Sequence, residues 1–192
     1  MIEAITKVDR KLFFLINSHH TSPVDYAMFW LSNELIWIPF YVVLVGLIIY
    51  FFGKKSRIII PCIFALFAAS DQLSGLIKQS VKRLRPCHNE QIGQLVHIVK
   101  SCGGQYGFVS SHAANTFALA TFMTLLLKGK YEYFGWLMFA WAGAISYSRI
   151  YLGVHYPADV AGGALLGILL GLLFFRVNQV LIKKTVPEIN LR

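Results

Sequence analysis

Ser148-Arg149-Ile150-Tyr151-Leu152-Gly153-Val154-His155-Tyr156-Pro157-Ala158-Asp159 links two long apolar runs, about 131–148 and 158–176. An arginine, a histidine and an aspartate thus fall at the junction of two segments long enough to approach a bilayer's thickness. Ionisable groups in such a setting face a bundle interior or a water-filled site, and they mark function more often than packing. The reading that follows is an all-α integral membrane protein with its chemistry gathered at one end of a helical bundle.

The rest of the chain repeats this contrast. Of 192 residues 56% are hydrophobic and 14% charged, against about 25% charged in a soluble domain. Fifteen Phe, nine Tyr and four Trp suit a bilayer and its interfaces. Separate apolar runs near membrane length exclude a soluble, all-buried core. The formal charge of +9 raises nucleic acid as a partner. The basic residues, however, sit at the ends of apolar runs and in one short segment. Anionic headgroups and phosphate are therefore the expected partners, and nucleic acid is not. No linker divides residues 1–192, so a single membrane-embedded domain is expected. No cleavable signal is expected either, because Lys7, Arg10 and Lys11 lie inside the first run.

In chain order, residues 2–16 read as an amphipathic interfacial helix. Ile2, Ile5, Val8, Leu12, Leu15 and Ile16 lie on one side and Glu3, Lys7 and Arg10 on the other. Asn17 to Pro23 is a turn-rich break in which His19 and His20 are ordinary exposed residues. Five spans follow, at about 26–51, 58–80, 111–128, 131–148 and 158–176. Pro39 is expected to kink the first. Asp71 in the second either pairs with a basic group or supports packing. Gly163, Gly167 and Gly171, four residues apart in the fifth, make a smooth stripe for close helix approach. The long connection 81–111 is polar.

Three fragments converge at the outer end. Lys78 precedes Arg85-Pro86, and a helix persisting to Leu84 puts residues 78, 82 and 85 on one face. Ser110-Ser111-His112 opens the third span, where free backbone N–H groups favour an anion. Either serine also suits a plain N-cap. Arg149, His155 and Asp159 complete the set, with Asp159 four residues past His155 and so placed to fix its tautomer. Cations and N–H donors offset the charge on a transferring phosphoryl group. One histidine serves as nucleophile and a second as general acid and base. With only Asp159 well placed as a carboxylate, a two-metal site is not expected, and no cofactor is implied.

These fragments resemble the signatures of the type 2 phosphatidic acid phosphatase family. Lys78 through Pro86 matches the first signature, and Ser148-Arg149, His155 and Asp159 match the third. In the second, Ser110 and His112 match, while Val109 and Ser111 stand where the family has Pro and Gly. The resemblance implies a lipid phosphate or diphosphate phosphatase acting through a phosphohistidine. His155 is then the nucleophile, Asp159 its orienting partner and His112 the general acid. Lys78, Arg85, Ser110, Ser111 and Arg149 would bind phosphate. Length and layout are most similar to bacterial undecaprenyl-diphosphate phosphatases, with phosphatidylglycerophosphate, phosphatidic acid and lipid A 1-phosphate as alternative substrates. An anionic-lipid transporter is the rival class, but the sequence lacks the internal inverted repeat common in transporters.

Raw Lys/Arg counts on the two sides of a five-span layout are equal. Once the charges that the chemistry needs are set aside, Lys54, Lys55, Arg57, Lys128 and Lys130 leave their side cytoplasmic. The site then faces the outside of a bacterial cytoplasmic membrane. There Cys87 and Cys102 of the long loop are open to pairing or to remaining thiols, while Cys62 is a small apolar residue of the second span.

Overall fold

The computed structural model describes the backbone of residues 2–185 and the side chains of residues 6–185. Its helices are α1 (Ile2–Asn17), α2 (Ser22–Ser32), α3 (Ile38–Phe52), α4 (Ser56–Val81), α5 (Ser111–Leu126), α6 (Phe134–Tyr151) and α7 (Pro157–Thr185). Among the described residues there is no strand, and the isolated bridge between Leu84 and Tyr106 is the one extended pairing. The five helices α3–α7 form the expected bundle. By length and composition Glu34–Val81, which holds α3 and α4, and Pro157–Thr185 are apolar enough to cross a membrane. Val42, Val43, Ile49, Phe64, Leu165 and Leu169 project outward from them, as a lipid-facing surface requires.

α5 is the axis of the bundle. Ala113, Ala114, Ala118, Ala120, Phe122 and Met123 are all inaccessible. The glycine stripe of α7 lies directly on α5. A Cβ at Gly171 would fall 2.7 Å from Ala118 O, and Gly163 and Gly167 stand as close to Ser110 O and Ala114 O. This contact fixes the start of α5 against the start of α7, where Ser110 N–H donates to Asp159 O at 2.9 Å.

The amphipathic start also forms, and its orientation is informative. Val8, Leu12 and Leu15 point away from the protein, while Asp9, Phe13 and Asn17 are buried against it. The side chains of Ile2, Glu3 and Ile5 lie outside the described residues. Asn17 Nδ2 donates to Tyr151 O at 2.8 Å and His97 O at 2.9 Å, and its Oδ1 accepts His97 N–H at 2.9 Å. One buried amide thereby joins α1, the long loop and the end of α6. His20, exposed as expected, stacks on His97 at 3.6 Å, and His97 Nε2 lies 3.0 Å from Asp25 Oδ2.

Three expectations need correction. The first span does not run from 26. α2 ends at Ser32, Asn33 is extended, and its side chain accepts Leu35 N–H at 3.0 Å to open a short 3-10 turn, Glu34–Trp37. Pro39 then lies in the first turn of α3, where its missing N–H is harmless, so it begins a helix and kinks none. Second, α4 stops at Val81 because Lys82 turns left-handed, with φ 51°. Lys82 is exposed, and the shared helical face of residues 78, 82 and 85 does not exist. Third, α7 continues past 176 to Thr185. No Gly or Pro interrupts residues 172–185, so nothing there breaks the helix.

Cys87 and Cys102 are disulfide-bonded, with Cα atoms 6.2 Å apart, and Cys62 is a buried free thiol. A bridge closing a loop of this size contributes roughly 3 kcal/mol in the chain-entropy account.

Candidate active site

The chain returns after α4 through an extended segment. Arg85 N–H donates to Gln105 O at 3.1 Å, and Gly107 N–H donates to Arg83 O at 2.8 Å. This pairing aims Arg85 back toward the bundle. Its Nη1 donates to Cys102 O at 2.7 Å and its Nε to Tyr106 O at 3.2 Å. The disulfide and the Leu84–Tyr106 bridge thus hold the guanidinium in place. Nη2 keeps no protein hydrogen bond among the described residues, and it is the donor open to a ligand.

At the start of α5 the two serines divide their tasks. The buried Ser110 caps the helix, its Oγ accepting Ala113 N–H at 3.5 Å. Ser111 Oγ accepts from Lys78 Nζ and lies 2.7 Å from Ser74 Oγ. Lys78 is therefore seated beside the free N–H groups of α5, an arrangement that suits an anion. Arg149, in the last turn of α6, donates from Nη1 to Ser32 Oγ, while its buried Nε has no partner. An orphaned buried donor of this kind requires an explanation, and an anionic ligand supplies one.

His155 is 2% exposed. Its Nδ1 stands 3.5 Å from Asp159 Oδ2 and has no closer partner. That separation is too long for a formed hydrogen bond, but long contacts are usual in substrate-free sites. Burial pushes the His155 ring down to about 4, although Asp159 pulls the other way. The neutral, nucleophilic form therefore dominates at every pH above that value. Arg149, His155, Arg85 and Lys78 all bear electrostatically on the His112 ring. The residues named from the sequence are thus brought together.

His112 Nε2 lies 3.5 Å from Glu34 Oε1. It opens on a cavity of about 260 Å³ lined also by Ser32, Trp37, Tyr41, Asp71 and Asn115. A second cavity, of about 280 Å³, is lined by Arg85, Arg149, Lys100, Ser101 and Asn33. A cavity of about 640 Å³ sits at the opposite end between α5 and α6 and contains none of these groups. Size alone does not pick the site.

Residues 59–183 match the model of the PAP2 superfamily. Over 182 residues the chain is 36% identical to a lipid A 4'-phosphatase of Bacteroides thetaiotaomicron, covering 91% of this chain and 79% of that one. The chain belongs to the PAP2 superfamily. It is also 29% identical over 170 residues to undecaprenyl-diphosphatase BcrC of Bacillus subtilis, covering 85% and 80% of the two chains. The crystal structure of a PAP2 type phosphatidylglycerolphosphate phosphatase from Bacillus subtilis shares the fold, with TM-score 0.73 at 18% identity over 92% and 87% of the chains. As a PAP2 protein the chain is a membrane-embedded hydrolase of lipid phosphates.

Four residues beside the named set carried no site reading in the sequence. In the sequence Glu34 is a polar interruption of the first apolar run, Asn115 falls with His112 at the opening of the third, and Arg83 is one more charge in a basic segment. Asp9 carried no signal beyond being one of two acids on an amphipathic helix. Asp71, left between two readings, accepts a hydrogen bond from Asn115 Nδ2 at 3.0 Å; its hydrogen-bond partner is an amide, not a basic group.

Proposed function

We propose that the protein removes phosphate from a sugar hydroxyl of a saccharide lipid of the lipid A type, through a phosphohistidine on His155. Asp159 orients that ring. Lys78, Arg85, Arg149, Ser111 and the N–H groups at the start of α5 hold the phosphoryl oxygens, with Ser110 shaping that turn as its cap. His112 protonates the leaving oxygen and then activates water.

The saccharide reading is carried by the two carboxylates, Glu34 and Asp71, in the cavity that His112 faces. A leaving group that takes a proton from His112 must sit there. A sugar is neutral and rich in hydroxyls, which carboxylates and the Asn115 amide can bind, while Trp37 offers an apolar face. The leaving group of a diphosphate is an anion. Beside a carboxylate at about 4 Å it would meet repulsion of roughly 1–4 kcal/mol, depending on the local dielectric. The relative named lipid A 4'-phosphatase supports the same reading. Undecaprenyl diphosphate is the second reading. It is favoured by the Lys100-lined cationic cavity, which has room for a further phosphate, and by the relative named undecaprenyl-diphosphatase.

Side-by-side turnover in detergent separates the two. Bisphosphorylated lipid A is expected to give a kcat/KM at least about tenfold above that of undecaprenyl diphosphate. That margin corresponds to about 1.4 kcal/mol. Replacing both carboxylates, Glu34→Gln with Asp71→Asn, should narrow the gap by slowing lipid A and speeding the diphosphate. A wild-type preference for undecaprenyl diphosphate that is insensitive to these substitutions would sink the saccharide reading.

The site belongs, in this proposal, on the outer face of a bacterial cytoplasmic membrane. Lys54, Lys55, Arg57, Lys128 and Lys130 cluster at the far end of the bundle, as a cytoplasmic end requires. The Cys87–Cys102 bridge suits an oxidising compartment. In intact cells a cysteine at Glu90 should react with a membrane-impermeant maleimide. Cysteines at Lys55 and Lys184, tested with Cys62 replaced by Ser, should not. The opposite labelling pattern reverses the orientation.

A further inference from the structure

The carboxylate that faces His155 is gripped by Arg83, and Arg83 in turn by Asp9, two side chains that none of the three sequence signatures specifies. Asp159 is fully buried. Its Oδ2 accepts Tyr156 N–H at 3.0 Å, and its Oδ1 accepts from Arg83 Nη1 at 2.6 Å. The other arm of the same guanidinium, Nη2, reaches Asp9 Oδ2 at 2.5 Å. Asp9 is 5% exposed, and its Oδ1 accepts Ala158 N–H at 2.9 Å in the first turn of α7. Arg83 also lies over the Tyr156 ring, with Cζ 4.3 Å from the centroid. The space is closed on a further side, since a Cβ at Gly107 would fall 2.8 Å from Asp159 Oδ2.

We propose that Arg83 and Asp9 are positioning residues for the His155–Asp159 pair, and that the lipid-facing helix α1 is thereby part of the catalytic apparatus. This rests on the reading of His155 as nucleophile. The terminal torsion of an aspartate is broad and roughly two-fold, so Asp159 alone would not keep one oxygen aimed at Nδ1. Arg83 occupies Oδ1 and leaves Oδ2 for the ring. It also pairs a fully buried carboxylate that would be costly to leave without a partner. Asp9 takes the second arm of the fork and holds the guanidinium level with Asp159. With both arms engaged by carboxylates, Arg83 is not available to bind phosphate, unlike Arg85 and Arg149. Lysine cannot replace it, because a single ammonium does not reproduce the planar fork. Asp9 carries this geometry back to α1, whose opposite side presents Val8, Leu12 and Leu15 outward.

The test compares Arg83→Met, Arg83→Lys, Asp9→Asn, Asp9→Glu and the Asp9→Asn/Arg83→Met double variant of the full chain in detergent. Arg83→Met and Asp9→Asn should lower kcat by about 10–100-fold, the usual effect of losing a residue that orients a catalytic ligand, with KM within about threefold of wild type. The double variant should lose no more than the worse single one. Asp9→Glu should recover most of the rate and Arg83→Lys little of it. Nitrogen-15 spectra of the histidine rings, with His155 assigned by loss of its signal in His155→Ala, should show one Nδ1–H tautomer in wild type and a mixture in Arg83→Met. A purely structural brace would not change that mixture in a variant with unchanged elution and thermal midpoint. Three results overturn the proposal: kcat within twofold of wild type with an unchanged His155 tautomer, a raised KM at constant kcat, or strictly additive losses. If Arg83→Met does not fold, Asp9→Asn and Asp9→Glu decide the matter by the same kcat, KM and tautomer criteria. Loss of the underlying reading has its own signature, turnover retained in His155→Ala, so the two failures are distinguishable.

Discussion

Replacing His155 with Ala is expected to remove turnover and the phosphorylated intermediate together. Deleting a nucleophile outright lowers kcat on the order of 10⁶-fold in a well-studied hydrolase. No neighbouring group offers a substitute. The ring is 2% exposed, and His112 is committed to the side that opens on Glu34 and Asp71. The cations would survive the substitution, so binding should remain and a small residual hydrolysis by water is allowed. Rapid quenching with labelled substrate should give acid-labile, base-stable label on the wild type and none on His155→Ala. Because burial holds the ring down to about 4, labelling of the wild type should persist from pH 7 to pH 5. An ordinary histidine near 6.5 would be mostly protonated by then. Activity should also survive a strong chelator. Equal label on His155→Ala, or near-normal phosphate release from it, would show that another group attacks phosphorus.

The parts of this site that the sequence made legible are those with a local signature. Arg149, His155 and Asp159 fall within eleven residues, and the glycine stripe announced its own contact by a four-residue period. The helices were legible because apolar runs of membrane length have few alternatives. What escaped is non-local. Asp9 meets Asp159 only through Arg83, and those partners lie 74 and 76 residues apart along the chain. Asn33 fell inside the first predicted span without any sign of its capping role, since capping depends on a backbone turn that composition does not reveal. The convergence of Lys78 with Arg85 was expected from a continuous helix. It arises instead from a left-handed Lys82 and an extended return, a different route to the same electrostatic result. The cavity that His112 faces was invisible because Glu34, Asp71 and Asn115 come from three separate segments.

Replacing His112 with Ala is expected to lower turnover of a sugar-linked phosphate by about 10²–10⁴-fold, the usual loss for a general acid or base. The size of the effect should depend on the leaving group. An alkoxide departing from a sugar needs the proton, whereas an aryl phosphate releases a stable phenolate without it. With p-nitrophenyl phosphate the first step should therefore survive in His112→Ala, giving a burst near one phenolate per enzyme. The second step should not survive, because the same ring must then activate water. Phosphohistidine should accumulate on this variant and persist for longer than on the wild type. Glu34, whose carboxylate approaches His112 Nε2 to 3.5 Å, should show a weaker version of the pattern in Glu34→Gln, with a smaller loss and little accumulation. If His155 and His112 act on two sides of one phosphorus, as proposed, this asymmetry is required. If His112→Ala slows aryl and sugar phosphates equally and shows no burst, the ring is acting on bound phosphate instead, as one more donor beside Arg149 and Lys78.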